Sequence, residues 1–196
     1  MSTWAVVPVK GGSGKQRLAP VLTDAARTQL IGAMLAQVLE AIAGAGVTGI
    51  LVISPEPLPL PAAVRALHDP GRGLNEALGL ALPQLTRLAA TRALIVSADL
   101  PWLESADVRA LLEAPARGIA LAPDHSGTGT NALALGLPSD FRPQFGAASR
   151  RCHEREALRL GQPLALIERA GLARDVDEPQ DLAALRAARA PRYAFL

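Results

Sequence analysis

The chain has 196 residues, of which 49% are hydrophobic, with 20 Lys+Arg against 18 Asp+Glu and a formal net charge of +2. This content excludes intrinsic disorder, and near-balanced charge without a dense basic stripe argues against a nucleic-acid partner. The single cysteine, Cys152, excludes a disulfide framework or multi-cysteine metal site, and no apolar run is long enough to span a bilayer, so a cytoplasmic protein with no membrane partner is expected.

Thr3 to Val9 reads as a first strand, apolar enough to be buried on both faces. Lys10 to Ala19 is a glycine-containing loop. A helix is expected from about Ala25 to Ala43, with Leu30, Met34, Leu35, Val38, Leu39 and Ile42 on its inner face and Gly44 and Gly46 ending it. Thr48 to Ser54 is a second strand. The prolines between Pro55 and Pro61 exclude a helix or a central strand, and Ala62 to His68 has no clear period. Leu74 to Leu88 is the next helix, with Pro83 inside it. Arg92 to Ala98 is a third strand, and Ser105 is the candidate cap of a helix from about Ala106 to Leu112.

Gly118–Ala122 and Ala132–Leu135 are two further strands joined across Asp124–Asn131. Ala147 to Leu160 reads as a helix and Leu164 to Ile167 as a short strand. A last helix runs from Pro179 towards Ala190, with proline where its missing N–H costs nothing. The alternation implies a single domain over residues 1–196: a three-layer, Rossmann-like α/β fold with a mixed, mostly parallel sheet. The strands flanking the Asp124 loop are expected to add an antiparallel edge.

Two sets of residues carry chemistry. Asp99 follows the third strand directly and precedes Leu100-Pro101, which places a carboxylate at a strand's carboxyl end, where open α/β sheets bind ligands. Asp175 and Asp177 are two residues apart, so an extended segment points both to one side. Convergent carboxylates suit magnesium, which takes oxygen ligands and retains water and substrate phosphate. The competing reading makes Asp175 a turn or cap residue and Asp177 a favourable charge at a helix start. The second set is Lys10, Lys15 and Arg17 around Gly11, Gly12 and Gly14. Glycines let backbone N–H groups approach an anion, and the cations can neutralise a triphosphate.

Known phosphate signatures do not fit this loop. Val9 stands where a Walker A motif needs glycine, and Gln16 where it needs Ser or Thr. His68, His125 and His153 lack zinc-ligand spacing, and no serine lies in Gly-x-Ser-x-Gly. Cys152, between Arg151 and His153, reads as incidental.

Six segments in order resemble the phospholactate guanylyltransferase family of coenzyme F420 biosynthesis. They are Val7-Pro-Val-Lys10 with Lys15-x-Arg17-Leu18, Gly73-Leu-Asn75-x-Ala-Leu78, Ala98-Asp-Leu-Pro101, Asp124-x-x-Gly-Thr-Gly-Thr-Asn131, Phe145-Gly-x-x-Ser149 with His153, and Asp175-Val-Asp177-x-Pro179-x-Asp-Leu182. The resemblance implies a nucleotidyltransferase fold, as in nucleotide-diphospho-sugar transferases. It implies transfer of GMP from GTP to phosphoenolpyruvate, 3-phospho-D-glycerate or 2-phospho-L-lactate, with release of pyrophosphate. It implies Mg2+ on Asp99, Asp175 and Asp177, and an acceptor held by Thr130, Gly146 and Ser149. The nucleotide would meet Pro8, Lys10, Lys15, Asn75 and Asp99, with Lys10, Lys15, Arg17 and Asp99 as the catalytic set. A monomer or small homo-oligomer is expected. The loop from Lys10 to Lys15 and the stretch from Pro55 to Asp69 are shorter than the family pattern. A molybdopterin or sugar nucleotidyltransferase on the same fold, and a non-catalytic nucleotide-binding regulator, remain as alternatives at this stage.

Overall fold

Strand β1 (Thr3–Pro8) sends Ala5 and Val7 into one apolar cluster and Trp4 and Val6 into another, so both faces of the sheet are covered. It pairs in parallel with β2 (Gly49–Ser54) on one side and β4 (Arg92–Val96) on the other, with Ala5 opposite Ile50 and Leu94. This computed structural model describes residues 2–10, 14–114 and 118–196. Its sheet has seven strands in the order β3-β2-β1-β4-β6-β5-β7, where β3 is Val64–His68, β5 Ile119–Pro123, β6 Thr130–Gly136 and β7 Leu164–Leu166.

Helices α1 (Asp24–Gly44) and α3 (Ser105–Glu113) cover one face, and α2 (Leu74–Arg87) and α4 (Ser149–Arg159) the other, giving the three layers expected. All six residues assigned to the inner face of α1 are buried. Beyond α4 come α5 (Ala170–Ala173), which the sequence pattern did not reveal, α6 (Pro179–Ala187) and a 3-10 turn at Pro191–Tyr193. A third apolar cluster, with Leu18, Leu30, Met34, Val176, Leu182, Leu185 and Tyr193, joins the N-terminal loop, α1 and α6.

The structure types one segment left open and corrects two expectations. The segment after the proline stretch, which has no clear period in the sequence, is β3, a five-residue edge strand with Arg65, Ala66 and His68 exposed, so its apolar signal is too short to read. The antiparallel strand is not at an edge. β6 pairs antiparallel with both β4 and β5, inside the sheet, while β7 forms the edge in parallel with β5. The reason lies in composition: six of the seven residues of β6 are buried, whereas β7 is three residues long and partly exposed. Finally, Ser105 does not cap α3. Glu104 does, in a reciprocal capping box with Asp107.

Candidate active site

The reversal of β6 builds the site. Parallel β1 and β4 end on the same side of the sheet, and antiparallel β6 begins there. The Ser97 N–H donates to the Asn131 carbonyl at 2.9 Å, so Asp99, just past β4, stands beside Thr130 and Asn131 at the start of β6. The segment before α6 then returns to this edge. The Val176 N–H donates to the Asp99 carbonyl at 3.2 Å, while the Val176 side chain is fully buried in the third cluster. With Val176 turned inward, Asp175 and Asp177 turn towards Asp99. One carboxylate oxygen from each of the three lies within 4.8 Å of the others.

Asn131 fixes this return. Its side-chain amide donates to the Leu172 carbonyl at 2.9 Å, the Ala173 carbonyl at 3.2 Å and Asp175 Oδ1 at 3.3 Å. Glu178, not Asp175, caps α6, in a box with Asp181. Burial pushes the Asp175 carboxyl up, and the charge on Asp99 pushes it further. Burial would also raise Asp177, but the Lys15 ammonium outweighs it and holds Asp177 below the usual carboxylate range.

Lys15 supplies a cation to this cluster. Its Nζ lies 2.6 Å from Asp99 Oδ2 and 2.5 Å from Asp177 Oδ1, and its side chain is 9% exposed. Burial alone would lower its pKa, yet the two carboxylates raise it, so it stays charged. Lys15 sits in the left-handed region at φ 59°, and the 3-10 turn that follows, Gln16–Leu18, is anchored by fully buried Leu18. Arg17 is exposed and pairs with Glu178 at 3.2 Å. The charge on Lys10 also acts on Asp177, so it lies on the same side. Pro8 ends β1 next to this loop. Gly11, Gly12 and Ser13, the centre of the expected phosphate cradle, lie outside the described residues.

The set fits a hard divalent cation. All three candidate ligands are carboxylates, they converge, and an ammonium is already drawn between two of them.

Beside the acidic cluster is a donor-rich corner at the start of α4. Ala148, the N-cap, has φ 52° and offers no side-chain cap. Gly146 has φ +126°, a conformation that favours glycine, and its carbonyl accepts from the Ser149 N–H at 3.2 Å. Ser149 is 1% exposed, and no described residue hydrogen-bonds its hydroxyl. One turn on, His153 is fully buried, and its Nδ1 lies 3.1 Å from Thr130 Oγ1. Thr130, Gly146 and Ser149 therefore belong to one connected corner. Asn75 joins the same corner: its side-chain amide donates to the Phe145 carbonyl at 3.0 Å and accepts from the Phe145 N–H at 2.8 Å. Asp124 holds the neighbouring loop by accepting from the Thr128 and Gly129 N–H groups. His125, exposed, is 4.0 Å from Asp175. Sequence reasoning quoted Asn131 and His153 without a role for either; the spacing of His153 four residues after Ser149, on one helix face, was the available signal.

The model of the family described as guanylyl transferase CofC like matches residues 3–188. The chain belongs to this family. CofC-like relatives include a phosphoenolpyruvate guanylyltransferase of Sphaerobacter thermophilus, 44% identical over 93% of this chain and 91% of the relative. A 3-phospho-D-glycerate guanylyltransferase of Phenylobacterium zucineum is 40% identical over 95% and 90%. A 2-phospho-L-lactate guanylyltransferase of Methanosarcina barkeri is 36% identical over 92% and 85%. Among solved structures, a Desulfovibrio desulfuricans protein described as a nucleotide-diphospho-sugar transferase superposes with a TM-score of 0.76 at 16% identity, covering 99% of this chain and 94% of that one. A Mycobacterium tuberculosis protein in complex with manganese superposes at 0.58 and 17%, covering 94% and 97%. At such identities these two show the fold alone. The CofC-like chain is thus an enzyme of the nucleotidyltransferase class, and among its described residues no helix is long and apolar enough to cross a membrane.

Proposed function

We propose that this chain transfers GMP from GTP to a small phosphorylated three-carbon acid and releases pyrophosphate, as a step of coenzyme F420 biosynthesis. The observation that carries this reading is the juxtaposition of the carboxylates Asp99, Asp175 and Asp177 with the donor-rich corner of Thr130, Gly146 and Ser149. One half suits a metal-bound triphosphate and the other a compact anion. The names of the relatives support the same chemistry.

The acceptor phosphate is anionic near neutral pH, so the chain needs no nucleophile and no general base. An acceptor phosphate oxygen bonds to the α-phosphorus of GTP, the bond to the β-phosphate bridging oxygen breaks, and the electron pair leaves with pyrophosphate. Mg2+ on Asp99, Asp175 and Asp177, when bound, supplies positive charge to the phosphate oxygens. Lys10, Lys15 and Arg17 stabilise charge on the departing phosphates. In this reading Lys15 exchanges its carboxylate partners for phosphate oxygens. Pro8 and Asn75 flank the nucleotide, with Asn75 tying that side to the acceptor corner. The Thr130 and Ser149 hydroxyls and the backbone N–H groups near Gly146 bind the acceptor's phosphate or carboxylate. Most of the rate gain is positioning and electrostatics.

Phosphoenolpyruvate is the acceptor to test first, because the 44%-identical relative carries that name. The assay is pyrophosphate release from GTP with phosphoenolpyruvate, 3-phospho-D-glycerate or 2-phospho-L-lactate, with and without magnesium. Release that needs both one of these acids and the metal supports the reading. Release only with a sugar phosphate or molybdopterin contradicts it.

A further inference from the structure

His153 is buried between two aromatic rings, with Phe145 edge-on at 5.1 Å and Phe141 at 5.8 Å. Its Nε2 lies 2.8 Å from the backbone N–H of Gln144. A backbone N–H can only donate, so Nε2 accepts and carries no proton. The proton of a neutral imidazole is then on Nδ1, which faces Thr130 Oγ1 at 3.1 Å. The Thr130 hydroxyl thus accepts from His153. No other described residue hydrogen-bonds it, so its own proton is uncommitted.

We infer that His153 is a positioning residue: fixed as the Nδ1–H tautomer by the Gln144 N–H, it occupies the accepting side of the Thr130 hydroxyl and commits that hydroxyl to donating to the acceptor anion. The inference rests on the proposed role of Thr130 in acceptor binding. Without the imidazole, the Thr130 hydroxyl can turn and donate inward, leaving an oxygen lone pair towards an anion. Burial also disfavours the imidazolium, with a pKa lowered to about 4, which keeps the tautomer assignment valid at neutral pH. The arrangement further explains why Phe141 to Gly146 and α4 meet at this point. One ring holds the Gln144 backbone with one nitrogen and the start of β6 with the other.

The test compares His153→Gln with His153→Asn. A Gln oxygen reaches the Nε2 position and keeps the bond from Gln144, but it offers no donor to Thr130. An Asn nitrogen stands near the Nδ1 position and keeps that donor. Calorimetric Kd for phosphoenolpyruvate, in the presence of magnesium and GTP held unreactive as a non-hydrolysable analogue, should rise about tenfold for His153→Gln and about twofold or less for His153→Asn. Affinity for the GTP analogue should be unchanged in both. Thr130→Val combined with His153→Gln should bind phosphoenolpyruvate no worse than Thr130→Val alone, because the imidazole acts through that hydroxyl. Nitrogen-15 NMR of the wild type should show Nδ1 protonated and Nε2 bare. Additive losses in the double variant, equal losses for Gln and Asn, or an Nε2–H tautomer would overturn the inference. Thermal unfolding of each variant separates misfolding from the effect, and should His153→Gln not fold, the NMR tautomer and the Asn variant still decide. A wild type that binds phosphoenolpyruvate but releases no pyrophosphate overturns the proposed reaction and leaves the His153 comparison intact. A wild type that does neither overturns both.

Discussion

Lys15 illustrates how much of the site is decided by single charges. Its ammonium lies between Asp99 and Asp177, where it offsets repulsion that burial would otherwise make costly. Replacing it with methionine leaves the carboxylates uncompensated. Lys15→Met is therefore expected to show a larger rise in Tm on adding magnesium or manganese than the wild type does, in the absence of nucleotide; an unchanged or smaller rise would show that Lys15 and a cation do not share this position. Asp99→Asn keeps shape but removes charge, and should lower pyrophosphate release by about a hundredfold or more while the fold is retained. Near-wild-type release with normal circular dichroism would remove Asp99 from the metal set. His153 gives the pH dependence. Its folded pKa of about 4 lies below the ordinary histidine value of 6.5, so between these values the unfolded chain binds a proton that the folded chain does not. The stability it contributes is present above pH 6.5 and is lost as pH falls towards 4, by about 3 kcal/mol. Unfolding free energies measured across that window should decline less for His153→Phe than for the wild type; equal slopes would contradict the assignment.

At the scale of elements, the fold was legible where a period was long or an apolar run was complete. Helix α1 repeats its buried face from Leu30 to Ile42, and β1, β2 and β4 read as strands because both faces are buried. β3 was not legible, since a five-residue edge strand with most of its positions exposed and no alternation has no distinct signal. Nor was the interior place of β6, because periodicity describes a strand and says nothing of its partners. The same limit applied to capping. Serine before an apolar run suggested a cap at Ser105, but the Glu104–Asp107 box satisfies the first turn. Glu104→Ala should cost about 0.5–2 kcal/mol of stability, and Ser105→Ala much less. Denaturant titration of both variants checks this, and a larger loss for Ser105→Ala would return the cap to serine.

At the scale of the molecule, one antiparallel strand explains why residues far apart in the chain form one site. Because β6 runs backwards between β4 and β5, its first residues meet the end of β4, and Asn131 then holds the segment that delivers Asp175 and Asp177. The residue types of the site were readable from the chain: a carboxylate at a strand end, a second acidic pair, a basic loop and a serine opening a helix. Their convergence was not, because it depends on sheet order and on the inward turn of Val176. The resemblance to guanylyltransferases supplied that grouping before the geometry did. The central claim is transfer of GMP to the phosphate of a three-carbon acid, and mass spectrometry of the reaction product tests it most directly. With magnesium, GTP and each of phosphoenolpyruvate, 3-phospho-D-glycerate and 2-phospho-L-lactate, the account predicts a product with the mass of GMP joined through a diphosphate to one of the acids. GTP recovered intact with all three acids would contradict it.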